Sequence, residues 1–346
     1  MKIFFAPEQL LHAPLAELNR GELGPPFEHA GRATSIVTAL EAAAIGAIET
    51  PPHFPESTLC RVHDRAFVDF LRGAHDEWRE LGRPGDALPI CWPGRSEVTL
   101  TPPKSLDGRL GHYSFDIMTP ITPGSWTAAM RGADTALAGA AWLAGNGGGG
   151  RSAFSLCRPP GHHAGISSYG GYCFLNSAAI AAQYLRDNGA GRVAILDVDY
   201  HHGNGTQQIF YDRDDVLYVS IHADPSSDFP YFAGYSDEQG RGAGKGYNRN
   251  LPLPRGTEWA AWSEAMALAE AIVSRFAPDA LVVSLGVDNF AGDPLSHFRF
   301  RTEDFARMGR RVAGFDLPTL LVFEGGYAVD ELGGNVVSFL NGFEGA

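Results

Sequence analysis

Arg192-Val193-Ala194-Ile195-Leu196-Asp197-Val198-Asp199-Tyr200-His201-His202-Gly203-Asn204-Gly205 decides how this chain reads. Its first half is a continuous apolar run, the pattern of a strand covered by helices on both faces of a parallel sheet. Its second half delivers Asp199, His201 and His202 where that strand ends. In extended backbone, residues two apart point to the same side, so Asp199 and His201 can reach one ion. A second polar burst, Arg158-Pro159-Pro160-Gly161-His162-His163-Ala164-Gly165, follows another candidate strand at 152–157. Together the two bursts offer metal ligands, a separate imidazole base and carboxylates to orient them, the set that a mononuclear zinc hydrolase needs.

Working outward, the same alternation continues. Helices are expected at 125–144, 177–188, 259–276 and 303–314, and strands at 216–221, 280–285 and 319–323. This is a parallel, doubly wound α/β sheet. His222 and Asp224 follow one further strand, Asp288 the next, and Glu324 and Tyr327 the last. Five strands thus carry polar groups at their carboxyl ends, where open parallel sheets bind ligands. A lone Asp-x-His is more often a strand-end pair satisfying backbone groups. Its recurrence beside four other polar strand ends reverses that reading. Asp288 taken alone is an ordinary cap or turn residue and gains weight only from its position. The first part of the chain is loop-rich, with helical patches at 32–48 and 65–81. Residues 85–122 lack helical periodicity and read as a long insertion, and such loops are often functional.

Composition narrows the class. The chain has 346 residues and a formal charge of −13, which argues against nucleic-acid backbone binding. Cys60, Cys91, Cys157 and Cys173 lie far apart, so neither a disulfide framework nor a cysteine metal site is expected. The N-terminal stretch lacks the apolar core of a signal peptide, and no apolar run is long enough to span a membrane. A cytoplasmic enzyme is expected, as one catalytic domain over 1–346 with an insertion around 85–122.

Five ordered motifs carry a resemblance. They are Cys157-Arg-Pro-Pro-Gly-His-His-Ala-Gly165, Gly170-Gly-Tyr-Cys-Phe-Leu-Asn176, Asp197-Val-Asp-Tyr-His-His-Gly-Asn-Gly-Thr206, Ser284-Leu-Gly-Val-Asp288 and Glu324-Gly-Gly-Tyr327. They resemble the histone deacetylase superfamily and, within it, the bacterial acetylpolyamine amidohydrolases. The likeness extends more weakly to Glu22-Leu-Gly-Pro-Pro-Phe-Glu28. It implies an arginase/deacetylase-like three-layer α/β/α fold with a central parallel sheet. It implies Zn2+ (or Fe2+, Co2+ or Mn2+) on Asp199, His201 and Asp288. His163 becomes the general base and then acid, and His162 acts electrostatically. Asp197 and Asn204 orient the two imidazoles, and Tyr327 donates to the developing oxyanion. A structural K+ is implied on Asp197, Asp199, His201, Ser220 and Ile221. His202 and His222 read as structural, and His12, His29, His53, His63, His75, His112 and His297 carry no motif support.

The likeness also sketches a pocket. Tyr172 and Phe229 match the walls of a narrow tunnel for the acyl-amide stem, with the Gly171 carbonyl alongside. Asp107 stands for one acid expected in the insertion of a polyamine enzyme, while Met118 falls where the other is expected. Asp116 or Glu97 would replace it. If neither does, the pocket suits neutral amides such as acylanilides. The expected substrate is a small acetylpolyamine or acyl-lysine-type amide, handled by a homodimer or higher homo-oligomer without nucleic acid or membrane. A binuclear centre on the same fold is disfavoured because its extra carboxylates would fall at Gly203 and Gly286.

Overall fold

The computed structural model describes residues 1–94, 101–145 and 150–345. The strands are β1 (Lys2–Phe4), β2 (Glu17–Asn19), β3 (Glu22–Gly24), β4 (Ile48–Glu49), β5 (Ser152–Ser155), β6 (Val193–Asp197), β7 (Val216–Ala223), β8 (Asn248–Leu253), β9 (Ala280–Leu285) and β10 (Thr319–Phe323). The helices are α1 (Gly31–Ala43), α2 (Arg65–Glu80), α3 (Leu106–Tyr113), α4 (Ser125–Leu143), α5 (Ser177–Asp187), α6 (Asn204–Phe210), α7 (Trp259–Phe276), α8 (Thr302–Ala313) and α9 (Val329–Glu344). Eight strands form one parallel sheet in the order β4-β1-β5-β10-β9-β6-β7-β8, and β2 and β3 form a separate antiparallel hairpin.

Alternation along each strand builds the layers. Val193, Ile195, Leu320 and Val322 enter a core shared with α2, α3, α4 and α5. Ala194, Leu196, Leu321 and Phe323 enter a second core, shared with α1, α7, α8 and α9. Both faces of the sheet are therefore buried, which is why its strands read as unbroken apolar runs. The result is a three-layer α/β/α architecture. The expected helices and inner strands lie where the sequence put them, within a few residues at their ends.

Register places the site. Ser155 of β5 pairs with Val322 of β10, Val322 with Ser284 of β9, Ser284 with Asp197 of β6, and Asp197 with Ser220 of β7. One row crosses five neighbouring strands, so the loops that follow leave the sheet at one height. The polar motifs occupy those loops.

Residues 85–122 differ from the expectation of an irregular insertion. They contain α3, whose start is capped by Ser105 accepting from the Gly108 N–H at 3.3 Å. Leu106 and Leu110 are buried beneath it, and Gly108 and Gly111 within the helix mask its periodicity. Glu97 lies outside the described residues, as does most of the expected turn at 146–150.

Candidate metal centre and active site

Three side chains from two neighbouring strand ends converge. Asp199 and His201 follow β6, and Asp288 follows β9. One ligand atom from each lies within 4.8 Å of the others. His201 Nδ1 is 2.9 Å from Asp288 Oδ2 and 3.4 Å from Asp199 Oδ1. The remaining carboxylate oxygens are held from behind: Gly325 N–H donates to Asp199 Oδ2 at 2.8 Å, and Tyr200 N–H to Asp288 Oδ1 at 2.9 Å. Burial, and then the Asp199 charge, push the Asp288 pKa up to about 7. Two buried carboxylates this close call for a cation between them. The donor set of two carboxylates and one imidazole fits a divalent ion and leaves room for water and substrate. Space agrees as well. A Cβ on Gly286 would stand 2.1 Å from Asp199 Oδ2, and one on Gly325 2.6 Å from Asp288 Oδ2.

Two imidazoles stand beside this centre, 4.1 Å apart. His162 Nδ1 is 3.1 Å from Asp197 Oδ2, while His163 Nδ1 is 2.7 Å from Asn204 Oδ1. Burial opposes charging either ring. For His162, Asp199 and Asp197 overcome it and raise the pKa to about 10. For His163, the charges on His162 and His201 add to burial and hold it well below the usual range. With the Asn204 oxygen accepting at Nδ1, the His163 Nε2 lone pair is the free base. A carboxylate on one ring and an amide on the other thus separate two otherwise similar groups.

Above the centre lies a cavity of about 770 Å³. His163, Gly171, Tyr172, His201, Phe229, Tyr327 and Met118 line it. The Phe229 ring meets His163 edge-on at 4.9 Å, and the Tyr172 and Tyr327 rings lie 5.6 Å apart. Gly171 has no spare room, since a Cβ there would stand 2.3 Å from His163 Cδ2. Burial raises the Tyr327 pKa well above that of an ordinary phenol, so its hydroxyl is a donor.

The family model described as histone deacetylase domain matches residues 26–343. This chain belongs to the histone deacetylase family. The histone deacetylase-family protein is 51% identical over 345 residues to acetylpolyamine amidohydrolase 2 of Pseudomonas aeruginosa, covering 100% of this chain and 99% of that relative. It is 44% identical over 345 residues to the acetylpolyamine amidohydrolase of Mycoplana ramosa, covering 100% of each. Among solved structures, the acetylpolyamine aminohydrolase from Burkholderia pseudomallei superposes with a TM-score of 0.93 at 41% identity, covering 99% of this chain and 98% of that one. The protein is accordingly an enzyme of the deacetylase/amidohydrolase class, and its three-layer fold is the fold of this family.

Other expected residues of this deacetylase-family chain lie elsewhere. Asp107 does not line the cavity: it sits on α3 in a two-pronged pair with Arg83. Asp116 is turned inward, accepting from the Met118 N–H, the Thr119 hydroxyl and the Gly171 N–H. His202 packs on His222 at 4.5 Å and is not one of the clustered ligands. Asp197 is fully buried between His162 and the Tyr218 hydroxyl at 2.9 Å, and Ser220 Oγ lies 2.7 Å from His222 Nδ1.

Several supporting residues carry no motif of their own. Buried Arg32 on α1 donates to the Glu324 carbonyl at 2.7 Å and the Gly326 carbonyl at 2.6 Å, and its guanidinium lies 4.5 Å from the Tyr327 ring. Glu28 joins it to Arg158. The Glu324 carboxylate accepts from the Gly161 and His162 N–H groups, so it fixes the imidazole loop. Asp293, in the loop that follows β9, accepts from the Tyr327 N–H at 2.6 Å. His29 and His297, without motif support, line the cavity. Glu28 in the weaker N-terminal likeness, Arg158 in the first motif and Glu324 in the last are the sequence signals for this frame; Arg32 and Asp293 have none.

Proposed function

We propose that this protein is a zinc-dependent amidohydrolase that removes short acyl groups from small amides, most of all acetylpolyamines and acyl-lysine-type amines. One observation carries the reading: the three ion ligands lie beside two imidazoles, one paired with a carboxylate and the other with an amide oxygen, at the floor of an aromatic-walled cavity. The names and the full-length identity of the relatives support the substrate class.

Asp199, His201 and Asp288 would hold the zinc, which supplies Lewis-acid polarisation of an acyl carbonyl and eases deprotonation of water. His163 Nε2 takes the proton from the attacking water and returns it to the departing amine. His162, paired with Asp197, stays cationic and stabilises negative charge. The Tyr327 hydroxyl donates to the developing oxyanion. Tyr172 and Phe229 flank the stem, and the Gly171 carbonyl accepts the amide N–H. The potassium ion that the family implies would sit on Asp197, Asp199, His201, Ser220 and Ile221. The enzyme acts as one catalytic domain and as a cytoplasmic homodimer or higher homo-oligomer.

A second reading, hydrolysis of neutral amides such as acylanilides, is favoured by Met118 on the cavity wall and by the commitment of Asp107 to Arg83. The kcat/KM of the zinc-loaded protein on N-acetylputrescine and on acetanilide decides between them. A higher value for the cation is expected. A preference for acetanilide would replace the first reading by the second.

A further inference from the structure

The acids around the cavity differ in what balances their charge. Of those that line it, Asp228 pairs with Arg255 at 2.9 and 3.1 Å and Glu22 is exposed to water, while Glu28 nearby is held between Arg32 and Arg158. Glu17, on β2, is different. It is 3% exposed and lines the cavity, yet its partners are neutral: the Tyr172 hydroxyl at 2.8 Å and the Phe27 N–H at 3.1 Å. Among the described residues, no Arg, Lys or His stands within ion-pair distance of it. The charged groups that act on it most, Asp116 and Glu28, are both of like sign. A buried carboxylate without a cation is costly, and two donors leave part of its accepting capacity unused.

We propose that Glu17 is the counter-ion for an ammonium group of the substrate, held one aromatic ring's length from the reacting amide. The spacing comes from Tyr172. Its ring lies against Tyr327 at 5.6 Å, and its hydroxyl ends on Glu17. An alkyl linker running along that ring brings a second amine to the carboxylate. The chemical class selected is the mono-acylated diamine or longer polyamine, with a few methylenes between amide and cation. The aromatic wall favours the same charge. Burial raises the Glu17 pKa, and the low dielectric that causes this strengthens any pairing there. Glu17 was not singled out by any motif, and it supplies the acid that Met118 does not.

The inference rests on the amidohydrolase reading, and the test separates the two. Glu17→Gln keeps the shape and an oxygen that can accept from Tyr172 and Phe27 but removes the charge. The kcat/KM of the zinc-loaded enzyme is measured on N-acetylputrescine and on its neutral counterpart, N-(4-hydroxybutyl)acetamide. In Glu17→Gln the ratio of cationic to neutral kcat/KM falls about ten- to a hundredfold, the worth of one hydrogen bond to a charged group, mainly through KM. Glu17→Asp, which keeps the charge, retains a higher ratio than Glu17→Gln. An unchanged ratio, whatever the absolute loss of rate, means that Glu17 only positions Tyr172 and overturns the proposal. If the wild-type enzyme hydrolyses neither amide, the activity reading fails instead. Calorimetry with putrescine then decides for Glu17: weaker binding to Glu17→Gln supports it, and equal affinities overturn it.

Discussion

At the floor of the cavity, Asp197, Asp199, Asp288 and Glu324 are fully buried, and each accepts from at least two groups. At the wall, Leu23 is 75% exposed, Tyr231 48% exposed, and the acid Glu17 has no ion-pair partner among the described residues. The floor comes from loops that leave five adjacent strands in one register. The wall comes from a hairpin near the N-terminus, the segment around Met118, and loops after β5, β7, β8 and β9. Groups that perform chemistry need rigid placement, which a buried sheet edge supplies. Groups that choose a substrate come from segments remote in sequence, and the loops that carry most of them are free to vary.

Breaking the floor has larger effects than altering the wall. Tyr327→Phe removes the oxyanion donor but no ion ligand. Steady-state kinetics should show kcat falling about 10²–10³-fold, or roughly 2.7–4 kcal/mol, with metal content unchanged. A near-normal kcat would move the oxyanion role to another group. Asp107→Asn, outside the cavity, breaks only a partly exposed pair with Arg83. Stability should change by about 0–1 kcal/mol and kcat/KM on N-acetylputrescine by less than about threefold. A large loss confined to the cationic substrate would return Asp107 to the site.

The same contrast explains what was legible. Strands β6, β9 and β10 were readable because both faces are buried and nothing interrupts their apolar runs. Their polar ends then gave Asp199, His201, Asp288 and Tyr327. Strands β1 and β4 were not, because two or three residues cannot show a pattern. Among the described residues β8 pairs with one neighbour, which lets it hold Pro252 and polar Asn248 and Asn250. α9 was hidden by Gly333 and Gly334, although α1 packs so closely that a Cβ on Gly333 would stand 2.6 Å from the Ser35 carbonyl oxygen. Arg32, Asp293 and Glu17 matter through partners far away in sequence. No local spacing marks a residue whose role is to hold another. Asp107 shows the converse: a position in a likeness names an acid but does not say that Arg83 already occupies it.

The central claim is that the strand-end row holds one catalytic ion through Asp199, His201 and Asp288. Its most direct test is metal analysis of Asp288→Ala after zinc loading and gel filtration, beside the wild-type protein and with folding checked by circular dichroism. With two ligands left, the folded variant should retain no stoichiometric zinc while the wild type retains one ion per chain. Full zinc in the folded variant would contradict the ligand assignment and the mechanism built on it.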